Sequence, residues 1–199
     1  MPQPDERAEA YPHELSGGLR QRVMIAIAIA CGPSLLIADE PTSALDMVTQ
    51  RQIVLLFRDL VRSEASSLLL IAHDPALLAE LSDDIVVLYA GQVVERGPAA
   101  RILASPSHPY TQALLRSVLP DDLGDRRSSG SASIAPRSQL PAIEGSPPDL
   151  RSPPPGCRFE PRCSLAVARC KAEAPALVPL GRGRGEARCL LISSAEAPS

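Results

Sequence analysis

Ser16-Gly17-Gly18 and Asp39-Glu40 are the residues of this chain whose types and order could do chemistry on a phosphate. Serine is a good N-cap residue, and Val23, Ile25, Ala26, Ile27, Ala28, Ile29 and Ala30 behind it form an apolar helical run. A helix starting near Ser16 turns free backbone N–H groups and the positive end of its dipole outward. Two glycines let a phosphate approach that backbone closely. An ordinary capped helix would carry the same three residues, so the triplet by itself decides nothing. Asp39 and Glu40 follow residues 35–38, a short continuous apolar run after Gly32-Pro33. Such a run reads as a buried parallel strand. Acids at its C-terminal end lie where open α/β sheets bind ligands, and two together are costly unless a metal or a reaction uses them. The alternative is an acid pair facing solvent. His73-Asp74 closes a second apolar run, residues 67–72, and offers an imidazole at a second strand end.

Cysteines form the other candidate centre. Cys157, Cys163, Cys170 and Cys189 are separated by five, six and eighteen residues, while Cys31 stands apart in a helix and reads as a small buried hydrophobe. Two disulfides are disfavoured in a reducing compartment. A structural Zn²⁺ site usually has closer cysteine spacing, and four thiolates can also hold a [4Fe–4S] cluster. Spacing alone leaves zinc and iron–sulfur about even.

The elements that must position these groups follow from pattern. Residues 47–62 read as an amphipathic helix with Ile53, Leu56, Leu60 and Val61 inward. Residues 84–89 and 92–95 flank Ala90-Gly91 as a hairpin. Beyond Gly97 the chain changes character: fifteen of its twenty-one prolines lie there, which leaves room for only short helices, at 98–104 and 110–118. Residues 120–155 are rich in Ser, Gly and Pro and read mostly as a mobile linker. No apolar run reaches the ~18 residues of a membrane span, and the N-terminus lacks a signal-peptide pattern. These features suit a soluble intracellular protein. A net charge of −3 gives no reason to expect a nucleic-acid partner.

The order from Tyr11-Pro-His-Glu-Leu-Ser-Gly-Gly-Leu-Arg-Gln-Arg through Leu35-Leu-Ile-Ala-Asp-Glu-Pro-Thr-Ser-Ala-Leu-Asp46 resembles ATP-binding-cassette subunits from signature motif through Walker B to D-loop. His108-Pro-Tyr, residues 140–149 and the Gly156-Cys-Arg-Phe-Glu-Pro-Arg-Cys163 block resemble the C-terminal extension of the oligopeptide/dipeptide branch of that family. The resemblance implies roles. Ser16, Gly17, Gly18, Gln21 and Asp46 would contact nucleotide across a subunit interface. Asp39 would hold Mg²⁺, Glu40 would polarise the attacking water, and His73 would be the switch histidine beside the γ-phosphate. It favours the [4Fe–4S] cluster on Cys157, Cys163, Cys170 and Cys189, with Zn²⁺ as the alternative. It also implies a head-to-tail dimer with a second ATP-binding subunit, two transmembrane permease subunits, an indirect link to an extracytoplasmic solute-binding protein, and a peripheral place on the cytoplasmic face of a prokaryotic membrane.

Departures accompany the matches. The Gly-x-x-x-x-Gly-Lys-Ser/Thr loop and the Gln-containing coupling loop do not occur in these 199 residues. Leu19 stands where many relatives carry Gln. Without a phosphate loop and its Lys, little would cradle the β/γ-phosphates, so the chain alone is expected to turn ATP over negligibly. The expected fold is α/β: the C-terminal part of a P-loop NTPase of cassette type (residues 1–97), a helical extension (98–119), a linker (120–155) and a four-cysteine lobe (156–199). The expected function is that of a truncated ATP-binding subunit of a peptide importer. A non-catalytic fragment that docks on a complete cassette subunit, and a metal or iron–sulfur module carried on a cassette scaffold, are the other two readings.

Overall fold

The computed structural model describes residues 4–43, 45–63, 66–118, 142–181 and 183–192. They form two compact units, the first ending at Leu81 and the second starting at Ser82. No helix among the described residues is long and apolar enough to cross a membrane.

The first unit begins with α1 (Pro4–Ala8) and a 3₁₀ turn (Pro12–Glu14), then α2 (Gly17–Ile29), β1 (Leu35–Asp39), α3 (Met47–Ser63), β2 (Ser67–Ile71) and α4 (Pro75–Leu81). Strands β1 and β2 pair in parallel with Leu35 opposite Ser67 and Asp39 opposite Ile71. The parallel pairing agrees with the sequence reading; full burial does not. Alternation along a strand sends Leu36, Ala38, Leu68 and Leu70 to one face, where they meet Ile25, Ile29, Ile53, Leu56, Phe57 and Leu60 from α2 and α3. The opposite face is open, with Leu35 50%, Ile37 61%, Leu69 49% and Ile71 48% exposed. The continuous apolar run predicted two covered faces, and only one is covered here. Helix α2 shows the same excess: its residues 23–29 are all apolar, yet only Ile25 is buried, and Met24 and Ile27 face outward. Helix α3 buries Ile53, Val54 and Phe57, while Val61, expected inward, is 39% exposed. Glu80 of α4 ties α4 to α3 through Arg51 and Arg58.

The second unit starts with β3 (Asp84–Tyr89) and β4 (Gln92–Pro98), antiparallel as expected. Ala90 and Gly91 at φ 48° and 76° make the turn, the left-handed pair that a tight hairpin requires. Helices α5 (Ala99–Ala104) and α6 (Pro109–Val118) follow, then a 3₁₀ turn (Glu160–Arg162), α7 (Ala168–Ala172), β5 (Val178–Pro179) and β6 (Glu186–Ala187). The sheet order is β3-β4-β6-β5. Strands the sequence reading assigned to residues 1–97 therefore share a sheet with strands from the cysteine-rich segment. Much of the expected linker (120–155), namely residues 120–141, and the last residue of the expected helical extension, 119, lie outside the described residues. Of the rest, Ile143 packs against the cluster of Tyr89, Val94 and Phe159.

Candidate functional site

Helix α2 begins as its sequence demands. Ser16 sits in extended backbone, and its Oγ accepts the Leu19 N–H at 3.4 Å. Gly17 and Gly18 open the helix, where the first N–H groups have no intrahelical acceptor, so donors remain at its positive end. The Leu19 departure leaves this cap intact. Gln21 is half-buried. The next residue, Arg22, donates to Gln52 Oε1 of α3 at 2.7 Å and ties the two helices.

Asp46 caps α3. Its Oδ1 accepts the Val48 and Thr49 N–H groups at 3.1 and 3.0 Å, and its Oδ2 accepts the Thr49 hydroxyl at 2.7 Å. The Thr49 amide, then its hydroxyl, hold the Asp46 carboxyl below the usual carboxylate range. Capping of this kind satisfies orphan donors of the first turn.

Strand β1 ends in Asp39, which is exposed. Glu40 then leaves the strand with φ 42°, a left-handed conformation uncommon outside glycine. Its N–H donates to Ile71 O at 2.9 Å, continuing the parallel pairing by one step past the strands. Its Oε1 lies 3.4 Å from His73 Nδ1, with the side chains 50% and 75% exposed. The two parallel strands thus bring together the carboxylate and the imidazole that the sequence placed at their ends. Asp74 Oδ1 accepts the Ala76 N–H at 2.9 Å and fixes the turn into α4. Glu40 and His73 meet, and Gly18 meets the Asp46–Thr49 cap, as developed below. Among the described residues, no hydrogen bond or ion pair ties Asp39 or Gln21 to either pair.

The four cysteines of the second unit are free thiols, Cys170 buried and the others half-buried, whereas Cys31 is exposed rather than the buried hydrophobe expected. The Cys157 N–H donates to Cys170 O at 2.8 Å. Burial pushes both the Cys157 and Cys163 thiols up, and the charges of neighbouring cysteines push in the same direction; Cys163 feels all three others. The four therefore lie within electrostatic reach of one another. Among the described residues, however, no group of three or more His, Cys, Asp or Glu side chains is arranged to hold a metal ion. The residues around them were not legible as partners. Arg158 donates to Ala90 O at the hairpin turn. Arg162 donates to Ile143 O at 2.9 Å and Glu144 O at 2.8 Å, and lies 5.9 Å from the Tyr89 ring centre. A Cβ on Gly156 would stand 2.2 Å from Cys170 O, so only glycine permits this approach.

His108 and Glu95 are the residues whose importance the sequence hid. Glu95 is fully buried. Its carboxylate accepts the Ser107 N–H at 2.7 Å and the His108 N–H at 3.0 Å, and pairs with Arg101 at 2.8 Å. His108 is 1% exposed, and its Nδ1 accepts the Tyr110 N–H at 3.0 Å. The His-Pro-Tyr motif is the N-terminus of α6 held against β4.

Residues 1–43 match the family "ABC transporter", and residues 94–170 match "Oligopeptide/dipeptide transporter, C-terminal region". The chain thus matches ATP-binding-cassette subunits of the oligopeptide/dipeptide branch. Among individual relatives, it is 49% identical to the dipeptide transport ATP-binding protein DppD of Escherichia coli (strain K12) over 189 residues, which is 95% of this chain and 54% of that protein. The DppD of Haemophilus influenzae is 48% identical over 181 residues, 91% of this chain and 51% of the relative. The chain spans about half the length of the curated relatives it matches. Among solved structures, the ATP-binding cassette MJ0796 in a post-hydrolysis state with ADP and Pi aligns with 48% of this chain and 40% of its own, at 33% identity and a TM-score of 0.44.

Proposed function

We propose that the chain supplies the signature, Walker B, D-loop and switch-histidine portion of an ATPase subunit that drives peptide import. The observation that carries this reading is the 3.4 Å approach of Glu40 and His73 at the ends of adjacent parallel strands. ATP, when bound, supplies the phosphoryl bond whose hydrolysis drives transport. Asp39 would hold its Mg²⁺, and Glu40 would take the proton of the attacking water while His73 stays within reach of both. Ser16, Gly17 and Gly18 would offer N–H donors to phosphate oxygens, with Gln21 and Asp46 beside them. The phosphate loop must come from outside these 199 residues. The partners of the reading are a second ATP-binding subunit in head-to-tail contact, two permease subunits and, through them, a solute-binding protein, at the cytoplasmic face of the membrane.

The test is ATP turnover by the chain mixed with a separately produced phosphate-loop half of a cassette subunit. Turnover that appears only in the mixture and is lost with Glu40→Gln supports the reading. A mixture as inactive as its parts, without nucleotide-dependent association, refutes it. Association without turnover would favour the second reading, a non-catalytic docking fragment, which the open apolar face of β1 and β2 supports.

For the cysteines, the proposal is that Cys157, Cys163, Cys170 and Cys189 ligate one [4Fe–4S] cluster that staples the C-terminal lobe. Their mutual electrostatic reach supports it; the raised thiols require that binding expel protons. Anaerobic reconstitution should give a brown protein that loses its colour on Ser substitution of any of the four and keeps it with Cys31→Ser. Colourless protein holding one zinc per chain would replace the cluster with a zinc site.

A further inference from the structure

Gly18 of the phosphate-facing turn and Thr49 of α3 are in direct opposition. A Cβ built on Gly18 would stand 2.4 Å from Thr49 Cγ2 and 3.5 Å from both Thr49 Cβ and Thr49 Oγ1. No carbon tolerates 2.4 Å, so one of the two must yield. Thr49 has one way to yield, rotation about its Cα–Cβ bond, because its Cγ2 and Oγ1 are both carried on Cβ. That rotation also moves Oγ1, which donates to Asp46 Oδ2 at 2.7 Å. Crowding at Gly18 therefore translates into loss of the Thr49–Asp46 bond. Asp46 uses its other oxygen to cap α3 through the Val48 and Thr49 amides. Nearby, Gly17 is in ordinary contact range of Leu45 Cδ2, at 3.7 Å from its would-be Cβ. The two glycines of the turn thus face residues on either side of Asp46, Leu45 and Thr49.

From this contact we infer that Thr49 is a positioning residue: it registers the Ser16–Gly18 turn against the Asp46 cap, so that displacement of one displaces the other. This deepens the proposed function and rests on it for its consequence. If the Ser16–Gly18 turn closes on a phosphate held elsewhere, Thr49 carries that closure to Asp46 without touching nucleotide. The alternative is that the Gly18 contact is packing alone, with no link to Asp46.

The two methyl-sized groups make a clean cycle. Gly18→Ala adds the colliding Cβ. Thr49→Ser removes Cγ2 and keeps the hydroxyl for Asp46. Thr49→Val keeps the crowding and removes the hydroxyl. Amide hydrogen exchange at Val48 and Thr49 in the full chain reads the cap directly, and needs no nucleotide or partner. The Thr49 hydroxyl orients the carboxylate whose other oxygen makes the cap, so its loss weakens the cap; a whole cap of ~1 kcal/mol corresponds to roughly five-fold faster exchange, which is the upper bound. Gly18→Ala and Thr49→Val should each show an increase within that bound, and Gly18→Ala/Thr49→Ser should return to the wild-type rate. Exchange in the double variant as fast as in Gly18→Ala alone, or no change in Gly18→Ala, overturns the inference. A general loss of structure in Gly18→Ala would show as faster exchange throughout α2; rescue by Thr49→Ser still decides in that case, since packing defects elsewhere would not respond to it. A second readout is nucleotide-dependent association with a complete cassette subunit. If wild type fails to associate while the exchange cycle holds, the functional reading fails and the Thr49 coupling stands.

Discussion

Lowering the pH should destabilise the second unit well before its surface carboxylates are all protonated, and His108 is the reason. Burial drives the imidazole pKa from 6.5 down to about 4, against the opposing pull of the Glu95 carboxylate and a backbone bond to Arg188. Burial wins because His108 is 1% exposed and Nδ1 already serves the Tyr110 N–H. Protonating Nδ1 would abolish that acceptor. A folded pKa below the unfolded one means that the unfolded chain takes up the proton first. The stabilisation is therefore complete above about pH 6.5 and is lost progressively as pH falls toward 4. At ~1.4 kcal/mol per pK unit, the full effect is roughly 3 kcal/mol, of which about 2 kcal/mol is gone by about pH 5. That is a large share of the stability of an ordinary domain. The assay is urea denaturation followed by far-UV circular dichroism from about pH 7.5 to 4, because the chain has no tryptophan. His108→Gln should flatten the pH 6.5–4 slope while lowering the plateau. An NMR titration that finds His108 protonating near 6.5, or an unchanged slope in His108→Gln, would refute the reasoning.

Three further outcomes can be measured. Gly185→Ala should destabilise the second unit by roughly 2 kcal/mol or more, since its φ is 89° and a Cβ would stand 2.1 Å from Arg96 O; thermal melts check this, and an unchanged Tm would refute it. The isolated chain should self-associate through the open face of Leu35, Ile37, Leu69 and Ile71, and Ile37→Thr with Leu69→Thr should reduce light scattering at equal concentration; a monodisperse wild-type monomer refutes it. Steady-state turnover of ATP by the chain alone should stay at background; robust activity abolished by Glu40→Gln would show that the phosphate loop is dispensable.

Reading order from sequence worked best where one residue type has one structural job. Ser16 was legible as a cap because its hydroxyl has an orphan amide to satisfy, and Ala90-Gly91 as a turn because a hairpin needs left-handed residues. Asp39, Glu40 and His73 were legible as strand-end groups because residues 35–38 and 67–72 end abruptly in polar residues. Burial was not legible. A run such as Leu-Leu-Ile-Ala states that both faces can be covered, and whether they are depends on neighbours that lie elsewhere. The Glu95–His108 network was hidden for a related reason: a glutamate in a hairpin strand normally faces water, and only α5, which brings the Arg101 guanidinium, and the turn into α6, which brings the Ser107 and His108 amides, let it stay buried. The Gly18–Thr49 opposition spans two helices and leaves no periodic trace. The cysteine spacing announced a centre, and the fold brings the thiols within reach of one another without arranging them as ligands.

Glu40 shows how the fold reconciles precision with freedom at the candidate site. Its backbone sits in a strained left-handed conformation, and three bonds hold it there. Its N–H reaches Ile71 O at the end of β2, and its carbonyl accepts both the Ser43 N–H at 3.3 Å and the Ser43 hydroxyl at 3.1 Å. The strain is therefore offset locally, within five residues of sequence and one neighbouring strand. The side chain, in contrast, is half exposed and faces His73. A carboxylate on a pinned backbone keeps its origin fixed while its oxygens can still turn between the imidazole and a water. An ion pair buried in the core would lose that adaptability and carry a desolvation penalty as well. Placing the acid one residue past the strand, where the ladder has just ended but one more N–H still finds its carbonyl, gives the group a rigid base and an open front.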